Sequence, residues 1–312
     1  MKQKKELLLC HNRIKPFIHR TPILSSKILN ELIGADLYFK CENFQKMGAY
    51  KIRGATNAIM LLSDAERKKG VVTHSSGNFA QALSLAGKSH GVQAHIVMPS
   101  NAPLVKREAV AYYGGNIVLC EPTMEARIST AKKIVEDKAA VFIHPSNDLN
   151  VITGQGTAAM ELLEDHPDLN VMVAPIGGGG LIAGSAMAIH HFAYSCDLIG
   201  GEPFEVDDAY RSFHSGKIES NITSNTIADG LKTVLGDQTF PIIQKFVKDI
   251  IRVTENEIIE AMHLVWERLK IVVEPSSAVA FAAVIKEKEF FKNKKVGIII
   301  SGGNVDLKKL PF

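Results

Sequence analysis

Cysteine is scarce in this sequence, and the few cysteines that occur stand alone. The chain of 312 residues has only four, which are Cys10, Cys41, Cys120 and Cys196. None has the C-x-x-C spacing that is typical of zinc sites and of redox-active dithiols. Isolated cysteines of this kind suit a protein that resides in a reducing compartment.

Long apolar runs and long basic runs are also missing. The apolar run near the N-terminus covers only residues 7–10, which is too short for the core of a signal peptide. No stretch approaches the roughly 20 apolar residues of a membrane span. Lys and Arg number 36 against 33 Asp and Glu, and the net charge of +3 is scattered along the chain. We therefore predict a cytoplasmic protein that binds neither membranes nor nucleic acid.

Short apolar runs alternate with helical patterns along the chain. Most of these runs are continuous, as expected for strands that are covered on both faces. Two capping boxes, Ser63 with Glu66 and Thr254 with Glu257, predict helix starts. The predicted strands are residues 37–41, 71–74, 94–98, 116–120, 140–144, 171–175, 197–200, 250–253 and 296–300. This alternation predicts an α/β fold with mainly parallel twisted sheets flanked by helices.

The domain organisation follows from the absence of repeats and of a low-complexity linker. Two domains in such a chain must be intertwined. We predict a small substrate-clamping domain of residues 67–145, inserted into a large cofactor-binding domain formed by residues 1–66 and 146–312. Ligands of open α/β sheets bind beyond the carboxyl ends of the strands, so the functional residues are expected in the turns that follow them.

Four consecutive glycines form the most unusual of these turns. Gly177, Gly178, Gly179 and Gly180 follow the predicted strand 171–175 and precede a helix that begins near Leu181. Their backbone N–H groups are unobstructed by side chains, and the helix dipole adds positive potential. A tight turn alone would need only one or two glycines. The segment therefore predicts a phosphate-binding loop.

The same loop permits a second interpretation. Gly178-x-Gly180-x-x-Ala183 fits the dinucleotide fingerprint, and Glu202 follows the next predicted strand, where a ribose-binding acid would lie. A dehydrogenase that binds NAD is therefore an alternative at this point.

Two further turns have polar side chains. Ser75-Ser76-Gly77-Asn78 follows the predicted strand 71–74 and leads into a helix, whose first amides can hold a carboxylate. Capping of that helix would explain one serine and not the whole cluster. Ser301-Gly302-Gly303-Asn304 follows the predicted strand 296–300, and there a ligand contact and a plain turn are equally favoured.

Lys51 lies in the segment Gly48-Ala49-Tyr50-Lys51-Ile52-Arg53-Gly54. A lysine at the start of a helix is usually solvated. The flanking glycines and Tyr50 favour a functional role instead.

Together these segments resemble the tryptophan-synthase-β-like family of pyridoxal-phosphate enzymes, known as fold type II. More narrowly, the chain resembles the group of serine racemases and catabolic threonine or serine dehydratases. The resemblance covers nearly the whole chain and rests on the order and spacing of its motifs. They are His19-Arg20-Thr21-Pro22, Lys40-Cys41-Glu42-Asn43-Phe44-Gln45-Lys46, Lys51-Ile52-Arg53-Gly54, Ser75-Ser76-Gly77-Asn78, Gly154-Gln155-Gly156-Thr157, the four glycines, Glu274-Pro275 and Ser301-Gly302-Gly303-Asn304. The NAD alternative leaves the lysine, serine and final segments unexplained.

The resemblance implies a cofactor, pyridoxal 5′-phosphate, and a role for each residue around it. Lys51 would form the Schiff base with the cofactor and later act as a base. Tyr50 would lie along one face of the ring. The other parts of the cofactor would each contact a different segment. Asn78 would bind the ring hydroxyl, Gly236 the ring edge and Ser301 the pyridine nitrogen, and the phosphate would be bound by Gly177, Gly178, Gly179, Gly180 and Leu181. Because the hydroxyl of Ser301 is neutral, we expect elimination to be favoured over transamination.

The resemblance also implies a reaction on a small amino acid. The leading hypothesis is a dehydratase that converts L-threonine or L-serine to a 2-oxo acid and ammonia. Ser75, Ser76, Gly77 and Asn78 would clamp the substrate carboxylate. For Arg127, pairing with a carboxylate of the substrate and a place on the surface of a helix are equally favoured. Ser76 matches the residue that serves the second cofactor face in serine racemases. The alternative is therefore a serine or hydroxyaspartate racemase with side elimination activity.

The remaining predictions concern a metal ion, assembly and regulation. Glu202, Asp208 and the carbonyl of Val206 could bind Mg²⁺, Mn²⁺ or Ca²⁺, whereas a solvated acidic helix start would explain the same residues. The resemblance favours the metal and implies a homodimer. Met47 removes a hydroxyl from the region where animal racemases bind a nucleotide effector, which argues against such regulation. An inactive paralogue is opposed by the intact Lys51, Ser76 and Ser301.

Overall fold

Ten strands form two sheets in the part of the chain that the computed structural model describes, residues 2–193 and 195–312. The first sheet has the order β1 (Ile23–Leu24), β2 (Asp36–Cys41), β10 (Lys295–Ile300), β7 (Val171–Pro175), β8 (Asp197–Pro203) and β9 (Asp249–Val253). The second has the order β5 (Asn116–Cys120), β4 (Ala94–Pro99), β3 (Val71–His74) and β6 (Val141–Phe142). Only β1 and β2 pair antiparallel among these strands, so the predicted α/β fold with mainly parallel sheets is confirmed.

Helices occupy the connections between the strands. They are α1 (Lys2–Ile14), α2 (Lys27–Ile33), α3 (Lys51–Met60), α4 (Asp64–Lys69), α5 (Asn78–Ser89), α6 (Leu104–Tyr112), α7 (Met124–Lys138), α8 (Leu149–Asp165), α9 (Gly180–Phe192), α10 (Asp208–Ser215), α11 (Thr239–Phe246), α12 (Glu255–Leu269), α13 (Pro275–Lys286) and α14 (Lys288–Phe291). Both predicted capping boxes are present, at the starts of α4 and α12. None of the helices in the described ranges is long and apolar enough to cross a membrane.

The strands of the second sheet all lie within residues 67–145, the range predicted for the small domain. The domain boundaries themselves stay a prediction. The strand predicted at residues 140–144 is shorter than expected, because the chain turns after Phe142. There the backbone N–H groups of Ser146 and Asn147 donate to Nδ1 of His144, and Pro145 has no N–H for a strand ladder. The two-residue strand β1 was not predicted, since so short a segment has no detectable alternation.

Glycines allow three helices to pack with their backbones in contact. A Cβ placed on Gly154 of α8 would lie 2.5 Å from the Cα of Gly54 in α3. One placed on Gly156 would lie 2.5 Å from the carbonyl oxygen of Gly184 in α9. Any side chain at these crossings would push the helices apart. This close approach fixes the position of α3, whose first residue is Lys51.

A cluster of buried charges holds the same helix from its other side. The guanidinium of Arg53 is fully buried and donates to both carboxylate oxygens of Glu42, at 2.7 and 2.8 Å. It also donates to both oxygens of Glu161, at 2.9 and 2.8 Å. Lys40 donates to Glu161 at 2.7 Å, and His11 lies 3.2 Å from the same carboxylate. We call these five residues the Arg53 cluster. Its two full cations and two anions balance, which makes burial of the charges tolerable.

Removal of one anion from this cluster should destabilise the protein strongly. Glu161→Gln leaves Arg53 and Lys40 buried opposite the single charge of Glu42. Breaking a buried pair in this way costs about 3–5 kcal/mol of the free energy of unfolding. Urea denaturation followed by circular dichroism measures the change.

The matched control is Glu164→Gln, one helical turn further along α8. Glu164 is 41% exposed and pairs with Arg20, which is 44% exposed. An exposed pair contributes about 0–1 kcal/mol. Equal losses in the two variants would contradict a special role for the buried cluster.

Candidate active site

Lys51 lies at the first position of α3, immediately after Tyr50. Its Nζ donates to the carbonyl oxygen of Pro145 at 3.0 Å. The ring centroids of Tyr50 and Phe79 lie 5.0 and 5.9 Å from the same nitrogen. Burial lowers the pKa of Lys51 to about 8, against the opposing effect of the negative charge on Glu274. A larger fraction of this amine than of an ordinary lysine is therefore neutral, and so nucleophilic, near neutral pH.

The turn before Lys51 is bonded to the C-terminal turn that follows β10. Met47 and Gly48 both have left-handed backbone conformations, with φ of 56° and 76°. The N–H of Tyr50 donates to the carbonyl of Ser301 at 3.0 Å, and the N–H of Gly303 donates to the carbonyl of Gly48 at 2.9 Å. A left-handed Met47 is strained for a residue with a side chain. These bonds hold the strained turn and bring Ser301 beside the lysine segment.

The hydroxyl of Ser301 is positioned by a residue that the sequence analysis did not single out. Ser277 Oγ lies 3.0 Å from Ser301 Oγ. It also donates to the carbonyl of Gly302 at 2.7 Å and accepts from the N–H of Gly302 at 2.7 Å. Because the proton of Ser277 is used on Gly302, the proton of Ser301 remains available to a ring nitrogen or to Ser277.

The four glycines connect β7 to α9 and are fully enclosed. A Cβ on Gly178 would lie 2.3 Å from Oγ of Ser146, and Gly179 has a φ of 81°. Leu181 follows in the first turn of α9, so the backbone N–H groups of the loop lie at the N-terminus of this helix. This arrangement fits a phosphate group. Ser146, a neighbour that pattern reasoning had not assigned to the loop, lies against it.

Asn78 begins α5 and makes contact with a buried acid that sequence reasoning had given no role. Its Nδ2 donates to the two carboxylate oxygens of Glu274 at 2.9 and 3.1 Å. Asn304 Nδ2 donates to Oδ1 of Asn78 at 2.9 Å. Burial, followed by the negative charge of Asp229, raises the pKa of Glu274 to about 7. The only local feature of the sequence that distinguished Glu274 was its position just before Pro275, which begins α13.

The serine turn between β3 and α5 borders open space. Ser75, Ser76 and Gly77 are half-buried, and a Cβ placed on Gly77 would meet nothing within 4 Å. Gly77 donates its N–H to Oγ of Ser75 at 3.4 Å. The turn therefore lies at the surface of a space that a small ligand can enter.

Gly236, the residue expected at the ring edge, is packed tightly against Asn147. A Cβ on Gly236 would lie 2.1 Å from Cγ of Asn147. Asn147 in turn donates to Asp237 at 2.7 Å and accepts from the N–H of Gln238 at 2.8 Å. The segment after β6 is thus fastened to the loop that contains Gly236.

Arg127 lies in the first turn of α7, beside His74 at the end of β3. Its Nε is buried and has no hydrogen-bond partner among the described residues. Its positive charge lowers the pKa of His74, after the larger effect of burial. His144 contacts the same histidine, with 5.8 Å between the ring centroids. An unpaired guanidinium close to a helix N-terminus favours an anionic ligand.

The residues predicted to bind a metal lie together but form only part of a coordination shell. Glu202 and Asp208 are fully buried, which excludes the solvated helix start considered above. Glu202 accepts from the N–H groups of Ala209 and Tyr210 at 2.9 and 2.7 Å, and Val206 is fully buried nearby. Oδ1 of Asp208 has no partner. In the described part of the chain, no group of three or more His, Cys, Asp or Glu side chains is placed to hold a metal.

Comparisons with known proteins identify the family. The chain matches the profile of the family described as "Pyridoxal-phosphate dependent enzyme" over residues 14–302. It is 49% identical to the β-hydroxyaspartate dehydratase of Paracoccus denitrificans, over 99% of this chain and 98% of that protein. It is 45% identical to the L-threo-3-hydroxyaspartate ammonia-lyase of Saccharomyces cerevisiae, over 97% and 94%. The crystal structure of the serine racemase of Dictyostelium discoideum matches with a TM-score of 0.94 and 49% identity, over 97% of this chain and 99% of that one.

The chain therefore belongs to the family of pyridoxal-phosphate dependent enzymes. The suspected resemblance to fold type II enzymes and to the serine racemase group is confirmed, and the NAD alternative is wrong. The glycine loop, the buried amine and the hydroxyl of Ser301 all fit the cofactor of this family. The assignment of individual residues to parts of the cofactor stays a prediction.

A covalent attachment test addresses Lys51 directly. Borohydride treatment of the enzyme supplied with pyridoxal phosphate should add the mass of one reduced cofactor, and peptide mapping should place it on Lys51. Lys51→Ala should acquire no such mass, because it lacks the amine. Attachment to another lysine in the wild-type enzyme would contradict the assignment.

Proposed function

We propose that this enzyme eliminates water from 3-hydroxyaspartate, releasing ammonia and a 2-oxo dicarboxylic acid. From the sequence, elimination of water from L-threonine or L-serine is the leading hypothesis, and a serine or hydroxyaspartate racemase with side elimination activity is the alternative. The relatives support the second option better, because two of those compared are named for hydroxyaspartate and others for serine racemisation. The elimination of a β-hydroxyl group is common to the earlier hypothesis and to this proposal.

The observation that supports a dicarboxylic substrate is the unpaired guanidinium of Arg127. It belongs to the predicted small domain, as does the serine turn at Ser75 and Ser76. The serine turn follows His74, whose pKa is lowered in part by the charge of Arg127. We propose that the turn holds the α-carboxylate and that Arg127 pairs with the second carboxylate. L-Serine and L-threonine have no second carboxylate, so they would leave this charge unused. Hydrogen bonds between charged groups are about twice as strong as neutral ones, which makes the contact selective.

Different residues of the chain have different roles in the proposed reaction. The amine of Lys51 is held neutral enough to accept the α-proton. The N–H groups of the serine turn orient the substrate carboxylate. Pyridoxal phosphate, when bound, supplies a ring that stabilises negative charge at the α-carbon. Ser301, fixed by Ser277, offers a neutral hydroxyl to the ring, which limits how far that charge is delocalised.

Substitution of Arg127 should change substrate preference. For Arg127→Met, the ratio of kcat/KM for 3-hydroxyaspartate to kcat/KM for L-serine should fall about 10- to 100-fold, because one charge-assisted contact is lost. Arg127→Lys should retain part of the preference, since it keeps the charge. Oxo-acid release from each amino acid supplied separately measures both values. A wild-type enzyme that prefers L-threonine, or an unchanged ratio in the variant, would overturn this assignment.

A second function, racemisation of serine, is favoured by Ser76. Racemisation requires a proton donor on the cofactor face opposite to the lysine, and Ser76 lies in the half-buried turn that borders open space. Several relatives are serine racemases, including one that is 48% identical.

Ser76→Ala should separate the two activities. We expect formation of D-serine from L-serine to be abolished, because the second acid–base group is missing, while elimination from L-serine is reduced less. Chiral chromatography and an oxo-acid assay on one reaction mixture give both rates. A parallel fall in both rates would exclude the two-face assignment.

We also propose that Glu202, Asp208 and the carbonyl of Val206 bind a divalent cation. Burial raises the pKa of Asp208 to about 7, and burial together with the charge of Asp208 raises that of Glu202. Two acids buried close together are costly when both are ionised, and the charge of Arg211 offsets only part of the effect of burial on Asp208. The unpartnered oxygen of Asp208 is a further sign that a ligand is needed. Mg²⁺, Mn²⁺ and Ca²⁺ prefer oxygen ligands of this kind.

Cation binding should raise thermal stability in a pH-dependent way. Because the folded-state pKa of Asp208 is raised, the metal-free protein loses stability as pH rises from about 4 to 7. Mg²⁺ or Mn²⁺ should therefore raise Tm more at pH 8 than at pH 5.5, where the acids are partly protonated. The double variant Glu202→Gln with Asp208→Asn should show no such response. A response of equal size in that variant would place the cation elsewhere.

Homodimer formation, cytoplasmic location and the absence of a nucleotide effector stay predictions from the sequence. The carbonyl of Met47, the residue that argues against a nucleotide effector, accepts a hydrogen bond of 2.8 Å from the side-chain amide of Asn304.

A further inference from the structure

His144 lies where the predicted loops of the active site converge. It follows β6 and precedes α8. The next residue, Pro145, accepts the hydrogen bond from Lys51 at 3.0 Å. The two residues after Pro145 contact the glycines at positions 178 and 236. His144 is therefore adjacent in sequence to the residue that Lys51 contacts, and it lies near Lys51 in the fold. The residue roles proposed so far do not include it.

The hydrogen bonds of His144 determine which ring nitrogen holds the proton. Its Nδ1 is within 3.2 Å of the N–H of Ser146 and within 2.8 Å of the N–H of Asn147, and both are donors. Nδ1 must then be the acceptor, and a neutral ring has its proton on Nε2. Burial, followed by the charges of His74 and Lys51, lowers the pKa of His144 to about 4, against the opposing effect of Asp237. The ring is thus neutral at physiological pH, with one fixed N–H donor.

That donor has no acceptor among the described residues, since no hydrogen bond of Nε2 is found there. The ring itself is half-buried and is held by aromatic neighbours. The centroid of His74 lies 5.8 Å away at 90°, and that of Phe142 lies 6.2 Å away. A rigidly held polar group with an unused donor next to the reactive amine is expected to bind a ligand atom.

We propose that Nε2–H of His144 donates a hydrogen bond to the β-oxygen of the substrate as it leaves. Lys51 takes the α-proton, the electron pair left on Cα forms the Cα=Cβ double bond, and the Cβ–O bond breaks with both of its electrons remaining on oxygen. That oxygen takes up one proton from the ammonium of Lys51 and departs as water. His144 retains its own proton throughout and stabilises the negative charge that develops on oxygen. This inference rests on the proposed elimination and adds the residue that assists the leaving group.

The test compares two leaving groups in the holoenzyme. Hydroxide is a poor leaving group and needs a donor, whereas the chloride of β-chloro-L-alanine departs without one. His144→Asn keeps an acceptor for the two backbone N–H groups but has no donor at the position of Nε2. We expect the ratio of kcat/KM for L-serine to that for β-chloro-L-alanine to fall about 10- to 100-fold in this variant. Exchange of the α-hydrogen of L-serine in D₂O should fall much less, because Lys51 performs that step.

His144→Gln is the paired variant. It places an amide N–H near the position of Nε2 but loses the acceptor for the backbone N–H groups. The ratio of kcat/KM for L-serine to that for β-chloro-L-alanine should therefore fall less than it does in His144→Asn. If His144 had only a structural role, kcat/KM would fall equally for both substrates in both variants, and that result would overturn the proposal. An unchanged ratio in His144→Asn would overturn it as well. Either of these results, in an enzyme that does eliminate water, would overturn the role of His144 alone, whereas a wild-type enzyme that eliminates chloride but not water would overturn the proposed function. Elimination of neither group would overturn the proposed function, and this inference with it.

Discussion

The balanced burial of charge around Arg53 is the constraint on which the active site depends. The Arg53 cluster joins the N-terminal segment, β2, α3 and α8 through one guanidinium that has two carboxylates as partners. Lys51 lies only two residues before Arg53, so the amine proposed to react is held on a helix that is anchored by the ion pairs of Arg53 and by the backbone contact of Gly54 with Gly154. The glycine loop and the serine turns are then arranged about a fixed point.

The parts of the site that were predictable are those with a local signal in the sequence. Glycine-rich or serine-rich turns directly after apolar runs located the loops that follow β3, β7 and β10, because parallel strands bring ligands to their carboxyl ends. Glu274, Ser277 and Ser146 were not assigned roles, since each acts through a partner that is distant in sequence. Glu274 meets Asn78 across 196 positions. Such contacts form only in the folded chain, and the periodicity of apolar residues in the sequence does not predict them.

The arrangement separates the choice of substrate from the chemistry. Arg127, His74 and the serine turn lie on or next to strands of the four-stranded sheet, whereas the glycine loop and Ser301 follow β7 and β10 of the six-stranded sheet. The helix of Lys51 packs in a core cluster with residues of the four-stranded sheet. Under the proposed roles, changes at Arg127 would alter which amino acid is accepted without touching the glycine loop or Ser301. This separation agrees with a set of relatives that share one fold and include both racemases and ammonia-lyases.

Glu161 stays ionised far into the acid range. Although burial opposes it, hydrogen bonds from His11 and Arg53 hold the pKa of Glu161 well below its usual value. The stability that this acid contributes is present above the ordinary pKa of glutamate and is lost only as pH falls through the folded value. Glu274, with a pKa of about 7, and His144, with a pKa of about 4, take up protons earlier. Glu161 and Arg53 therefore keep their charges at acidities that already alter the charges of Glu274 and His144.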